Sequence, residues 1–91
     1  LNIRPLLELK DGSIVSAGIA RGKLDQARKL CGFCEKATGT LIVNGFLADE
    51  AAAKLTAQLA RGDRSIERRR VGPVLGAHLG AGCVGVAWIE P

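Results

Sequence analysis

The chain's only histidine, His78, lies in a glycine-rich segment, GPVLGAHLGAGCVG, that runs from Gly72 to Gly85. Glycine has no Cβ, so the backbone of this segment can approach a ligand or a second segment closely. An imidazole N–H donates a hydrogen bond in either protonation state. The pattern therefore indicates a place where a polar group is bound. The alternative is a partly buried histidine that hydrogen-bonds a nearby carbonyl.

The same segment contains a G-x-G-x-x-G pattern from Gly80 to Gly85. A dinucleotide site requires a strand before this pattern, a helix after it and an acidic residue about 20 positions further on. The residues after Gly85 are typical of a strand instead, so we reject a dinucleotide site. Three serines, Ser13, Ser16 and Ser65, lack the turn context of a catalytic nucleophile. We therefore expect a protein without a catalytic set of residues.

Cys31 and Cys34 have the spacing of a redox pair or of half a zinc site. In a helix over residues 23–36, however, both continue an apolar stripe formed by Leu24, Ala27 and Leu30. A zinc site needs further ligands at a recognisable spacing, which Cys83 and His78 do not provide. We expect both thiols to face the core, reduced and without metal. Because no secretory signal is present, we expect a reducing, cytoplasmic location.

The net charge of +4 is concentrated around Arg68, Arg69 and Arg70, with Arg61 and Arg64 nearby. A nucleic-acid or anionic-surface binding module that uses the Arg68–Arg70 cluster is therefore the alternative function. In a strand, Arg68 and Arg70 share one face and Arg69 points to the other. The aromatic residues are too few to form a base-stacking platform, so we favour a solvated face without nucleic acid. The chain has no apolar run of about 18 residues, and we expect a soluble protein without stable membrane insertion.

Periodicity predicts an α+β fold, a two-layer sandwich with a mainly antiparallel sheet, an N-terminal β-hairpin and two helices packed on it. The hairpin turns at Asp11-Gly12, a strong hairpin signal. Asp49 is expected to cap the second helix. The predicted strands are 5–9, 14–18, 41–45, 65–71 and 83–89, and the predicted helices are 23–36 and 49–60. Residues 1–91 are expected to form a single domain.

Two segments resemble the DegV family of bacterial proteins. The opening LNIRPLLELKDGSIVSAGIARGK resembles a family segment in which an I-K-P-I-L strand leads through a D-G hairpin to an R-T/G-K/R helix start. The segment GPVLGAHLGAGCVGVAW resembles the family's closing motif, G-P-V-I-G-T-H-T-G-P-G-A-L-G. The resemblance covers essentially the whole chain. It implies that residues 1–91 are the C-terminal half of the C-terminal lobe of a two-lobe protein.

The resemblance implies a lipid-binding protein that does not catalyse and uses no cofactor. Such a protein holds a long-chain fatty acid, such as palmitate, in a tunnel between its two α/β lobes. It presents the acyl carboxylate to a separate fatty acid kinase. The partners implied are therefore the fatty acid, the kinase and the N-terminal lobe of the same protein.

The implied site residues follow from the two matching motifs. His78 corresponds to the family histidine near the carboxylate, with Gly76, Gly80 and Gly82 beside it, and the N-terminal lobe supplies hydroxyl groups. Arg21 corresponds to an arginine on the kinase-facing surface. The chain departs from the family at Ala77 and Leu79, which replace threonines, and at Ala81, which replaces the proline of G-P-G.

Overall fold

A computed structural model of the chain describes residues 2–70 and 82–89. Within these ranges, five strands and two helices follow one another in the predicted order, which confirms the α+β class. The elements are β1 (Ile3–Lys10), β2 (Ser13–Arg21), α1 (Gly22–Phe33), β3 (Gly39–Gly45), α2 (Asp49–Leu59), β4 (Arg64–Arg70) and β5 (Val84–Trp88).

The predicted hairpin is present and forms a two-stranded antiparallel sheet from β1 and β2. Asp11 and Gly12 have φ angles of 52° and 79°, as a type I′ turn requires at both central positions. The pairing shifts between Leu6 and Leu7, because Leu6 pairs with Gly18 whereas Leu7 pairs with Ser16. Ala17 is therefore the extra residue of a β-bulge in β2.

The other three strands form a second sheet in the order β4-β3-β5. β3 and β4 are parallel, because α2 lies between them in the sequence and provides the crossover that a parallel pair needs. β5 pairs antiparallel with the other side of β3. Antiparallel pairing thus joins β1 to β2 and β3 to β5, and the parallel pair comes from the β3-α2-β4 unit.

The core lies between β3 and α2. Leu41 and Val43, two residues apart, both lie on the inner face of β3. The inner face of α2 buries side chains that are three and four residues apart in the sequence. Gly45 lies against α2, where a Cβ on this residue would be in van der Waals contact, 3.4 Å from the Cβ of Ala52. The buried cluster consists of Cys34, Ala37, Leu41, Val43, Ala52, Leu55 and Leu59.

Three local predictions are corrected. The first helix ends at Phe33 rather than at residue 36, because the Cys34 N–H donates to the Leu30 and Cys31 carbonyls at 3.3 and 3.1 Å and closes the helix. Ala48, not Asp49, occupies the N-cap of α2, since the Ala48 carbonyl accepts the first helical bond, from the Ala52 N–H at 2.9 Å.

The third correction concerns the apolar stripe of α1. Leu24, predicted to be part of the buried stripe, is 85% exposed. α1 has no fully buried residue, and only its C-terminal part, with Leu30 and Cys31, packs against the core. Within the described ranges, neither helix is long and apolar enough to cross a membrane.

Candidate functional site

The segment that carries His78 joins the end of β4 to the start of β5, and both lie beside the same residue of β3. Gly45, the last residue of β3, pairs with Arg70 at the end of β4 and with Val84 at the start of β5. Residues 71–81, which lie outside the described residues, join these two strands. In open sheets with parallel strands, ligands bind outside the carboxyl ends of the strands. The glycine-rich segment is thus connected to the end of the sheet where a binding site is expected.

Gly82 fixes the entry into β5. Its φ of +87° lies in the left-handed region that favours glycine. The Gly82 N–H donates to the Phe46 carbonyl at 2.8 Å, and the Phe46 N–H donates to the Cys83 carbonyl at 3.1 Å. These two bonds tie the start of β5 to the loop that follows β3. The other predicted ligand-binding residues, His78, Gly76 and Gly80, lie outside the described residues.

An apolar cleft of about 120 Å³ lies between α1 and α2 and reaches the start of β5. Leu24, Ala27 and Leu30 line one side, Ala51 and Leu55 line the other, and Val84 closes it. Lys23, Glu50 and Lys54 also line the cleft, with Glu50 and Lys54 paired at 3.2 Å. The α1 stripe was predicted to face the core, and the same periodicity describes a helix face that is packed and one that lines a cleft.

Val84 joins the cleft to the glycine-rich segment. It follows Gly82 by two residues, and it packs together with Val86 and Trp88 against the core cluster. The start of β5 therefore has backbone polar groups on its glycine-rich side and an apolar side chain in the cleft. This arrangement suits a ligand with a polar head and an apolar tail.

Arg21 is exposed at the junction of β2 and α1. Gly22, with a φ of +85°, makes the turn into the helix, and its N–H donates to the Asn2 carbonyl at 2.8 Å. Among the described residues, nothing accepts a hydrogen bond from the Arg21 guanidinium. Arg21 lies in the hairpin sheet and Gly82 precedes the three-stranded sheet, so the two predicted sites belong to different sheets.

Asp25 holds the backbone at Arg21. Its carboxylate, on the fourth residue of α1, accepts a hydrogen bond from the N–H of the N-cap residue Arg21 at 2.8 Å. It also pairs with Arg28 at 2.6 Å and with Lys29 at 3.4 Å. The Arg21 backbone N–H, followed by Arg28 and Lys29, lowers the pKa of Asp25 from 3.8 to about 2. Asp25 is not among the residues predicted from the sequence, although an acidic residue in the first turn of a helix is a recognisable signal.

The cysteines occupy the edge and the interior of the core. Cys34 is 1% exposed, as predicted, whereas Cys31 is half-buried with its Sγ 3.8 Å from Gln58 Oε1. Burial raises the pKa of both thiols. Each thiol therefore remains mostly protonated at neutral pH and is a poor nucleophile. Among residues 2–70 and 82–89, no three potential metal ligands come together, and the reduced, metal-free state remains a prediction.

Two arginines of the basic cluster bind backbone carbonyls inside the domain. The Arg64 guanidinium donates to the Ala37 and Leu59 carbonyls at 2.8 and 2.9 Å and also to the Cys34 carbonyl. Arg61 donates to the Glu35 carbonyl at 3.0 Å and pairs with Asp63 at 2.6 Å. These contacts satisfy carbonyls near the C-terminal ends of both helices. They leave fewer cations for an anionic partner than the sequence indicates.

Comparisons with known proteins agree on one family. A family model described as "Uncharacterised protein, DegV family" matches residues 1–91. The DegV domain-containing protein BH3627 of Halalkalibacterium halodurans is 34% identical over 97 residues, covering 97% of this chain and 34% of that protein. The crystal structure of the DegV family protein Cg2579 from Corynebacterium glutamicum superposes with a TM-score of 0.80 at 22% identity, covering 90% of this chain and 34% of that one. The chain thus spans about a third of the length of these relatives.

Proposed function

Because the chain belongs to the DegV family, we propose that it is part of a protein that binds a long-chain fatty acid, such as palmitate, and presents its carboxylate to a fatty acid kinase. In this proposal the protein binds and presents the lipid in the bacterial cytoplasm and does not itself catalyse. The observation that supports it best is the apolar cleft that meets the glycine-rich segment at Val84.

The proposal divides binding between the tail and the head of the ligand. Each buried methylene contributes roughly 0.8 kcal/mol, so about a dozen methylenes contribute on the order of 10 kcal/mol before ordering costs. The cleft lined by Leu24, Leu30 and Leu55 provides apolar surface for such a tail. A buried carboxylate opposes binding unless hydrogen-bond donors replace its water.

His78 is the proposed donor to the carboxylate. Gly76, Gly80 and Gly82 allow the backbone to approach the head group, and an imidazole N–H serves as donor in either protonation state. Hydroxyl groups of an N-terminal lobe of the same protein complete the site in this proposal. The residues that replace the family threonines, Ala77 and Leu79, offer no side-chain hydroxyl, so His78 carries more of the head-group binding on this side.

Fatty acid binding by the full-length protein tests the site. Replacing His78 by Ala removes a donor from a buried carboxylate, which costs roughly 1–3 kcal/mol and should weaken binding about 5- to 150-fold. His78→Asn, which retains an N–H donor, should lose less affinity. Native mass spectrometry for copurified fatty acid and a titration with fluorescent fatty acid measure both variants. Wild-type affinity in His78→Ala would show that the histidine has only a structural role.

Presentation to the kinase is tested separately at Arg21. Its exposed guanidinium is proposed to contact the kinase, so Arg21→Ala should leave fatty acid affinity unchanged and slow phosphorylation of the bound acyl group. The defect should shrink as salt is raised, since an interfacial charge loses effect with screening. Lys36→Ala, which removes an exposed cation outside the cleft, is the control. Equal phosphorylation rates for Arg21→Ala and the wild type would contradict the contact.

A further inference from the structure

The hairpin exposes one apolar face. Paired residues of an antiparallel ladder point to the same side, so the face opposite α1 carries the pairs Ile3 with Arg21, Pro5 with Ile19, Leu7 with Ser16 and Leu9 with Ile14. The opposite side carries Leu6 and Ala20, which are buried. We define the outer face by its six apolar residues: Ile3, Pro5, Leu7, Leu9, Ile14 and Ile19.

These side chains are open to solvent in the described structure. Leu9 is 74% exposed, Ile14 is 63% exposed and Leu7 is 52% exposed. Arg21, at one end, is the only charged residue on the outer face. Single exposed aliphatic residues are ordinary on protein surfaces, but a contiguous apolar patch marks an interaction site.

The β-bulge makes this face continuous. If β2 alternated regularly through Ala17, without a bulge, the alternation that starts at Ile19 would turn Ile14 to the opposite side. With the bulge, Ile14 lies opposite Leu9 and on the same side as Ile19. The bulge brings aliphatic side chains together on the exposed side of the hairpin. This indicates that the side is buried in the full-length protein.

A two-stranded sheet also lacks neighbours. Within residues 2–70 and 82–89, β1 and β2 each pair only with one another, and an isolated hairpin is marginally stable without a third strand or a packed layer. Whatever packs on the outer face must itself be apolar, because a charged surface would find Arg21 as its one charged partner there. A transient protein partner normally meets a polar rim around its apolar centre, so a permanent contact fits this face better.

We propose that the outer face is covered by the apolar side of another segment of a longer polypeptide to which residues 1–91 belong. The two relatives are about three times as long as the part that matches this chain, which is 34% of each. Two thirds of their length therefore has no counterpart here and is available to supply a permanent layer. Arg21 lies at the end of the outer face, at the edge of the covered area, and stays accessible to the partner proposed above.

Hydroxyl-radical footprinting of the full-length protein tests this cover. In residues 1–91 alone, Leu9 and Ile14 have exposures comparable to that of Leu47, which is 78% exposed and lies outside the cleft. If the outer face is covered, Leu9 and Ile14 should oxidise several-fold more slowly than Leu47 in the same sample. Equal rates would overturn the proposal. Protection that disappears on dilution would assign the cover to a second copy of the protein and would overturn it as well.

A pair of substitutions gives a second readout in the full-length protein. Ile14→Asp places a charge on the outer face, whereas Ser13→Asp places one on the opposite side at the neighbouring position. Ile14→Asp should lower the melting temperature by several degrees, and Ser13→Asp should leave it nearly unchanged. Equal melting temperatures for the two variants would show that the outer face is open to water.

Discussion

At the scale of single residues, Arg64 does more for this fold than its place in a basic run indicates. Its guanidinium joins three parts of the chain, the end of α1, the turn before β3 and the end of α2, through the carbonyls of Cys34, Ala37 and Leu59. A guanidinium presents five donors in a fixed planar fork, which suits several acceptors at once. The Leu59 carbonyl at the end of α2 gains its donor from Arg64, whereas the Cys34 and Ala37 carbonyls also accept from the Ala37 N–H and from Arg61.

We predict that Arg64→Ala destabilises the domain by roughly 2–3 kcal/mol, since hydrogen bonds to charged groups are worth about that much and three carbonyls lose a charged donor. Arg64→Lys should recover only part of the loss, because an ammonium lacks the planar fork. Urea unfolding of both variants measures the effect, with Arg68→Ala on the exposed part of the same strand as control. Equal stabilities of Arg64→Ala and Arg68→Ala would contradict the role assigned to Arg64.

Asp25 should make the domain sensitive to acid. Its pKa is lowered to about 2 in the folded chain, so the carboxylate contributes stability that is present above its ordinary pKa of 3.8 and is lost as the pH falls to about 2. Asp25→Asn should be less stable than the wild type at neutral pH, and the difference should shrink between about pH 4 and pH 2. Thermal unfolding across this range measures it, and Glu8→Gln controls for the loss of one negative charge. A difference that does not change with pH would contradict the assignment.

At the scale of elements, the two helices have different roles. α2 buries Ala52, Leu55 and Leu59 against β3 and forms the core. α1 has no fully buried residue and lies beside α2 with a cleft between them. One helix therefore stabilises the domain, while the other is available to line a binding site.

This difference predicts unequal costs for equal truncations. Leu55→Ala should cost about 2–5 kcal/mol, because Leu55 is 1% exposed and its removal leaves a cavity. Leu24→Ala, at a side chain that is 85% exposed, should cost less than about 0.5 kcal/mol. Denaturant unfolding distinguishes the two variants. In the full-length protein Leu24→Ala should instead weaken fatty acid binding if the cleft holds the acyl chain, and similar stability losses for both variants would refute the contrast.

At the scale of the whole molecule, the chain consists of two sheets with unequal support. β3 is paired on both sides and buried beneath α2, whereas the hairpin is a two-stranded sheet with an exposed apolar face. Local stability follows buried contacts and paired neighbours. The three-stranded sheet with α2 is thus the stable unit within the described residues.

We predict that amide hydrogen exchange in the isolated 91-residue chain is slowest for Leu41 and Val43 and much faster for Leu7 and Leu9. In the full-length protein the hairpin amides should become protected while those of β3 change little, because the additional layer covers the hairpin. Exchange followed by mass spectrometry measures both proteins. Hairpin amides as protected as those of β3 in the isolated chain would contradict this division.

The order and type of the elements, and one part of the proposed site, follow from local residue patterns. Asp11-Gly12 specified the hairpin, because few residue pairs adopt two positive φ angles at low cost. The run Leu41-Ile42-Val43 specified a buried strand, and the spacing of Ala52, Leu55 and Leu59 specified a buried helix face. The motif around His78 indicated the family without reference to any fold.

Which apolar faces are covered, and which charges bind groups inside the domain, becomes visible only in the folded chain. The stripe of α1 has the period of a core face, yet Leu24 is exposed because α1 packs on the core only near its C-terminal end. The arginine cluster has the composition of an anion-binding surface, yet Arg64 binds carbonyls that meet only after the chain folds. Periodicity and composition are local, whereas burial and hydrogen-bond partners depend on segments distant in the sequence. The parallel pairing of β3 with β4 and the continuous outer face of the hairpin were decided at that level.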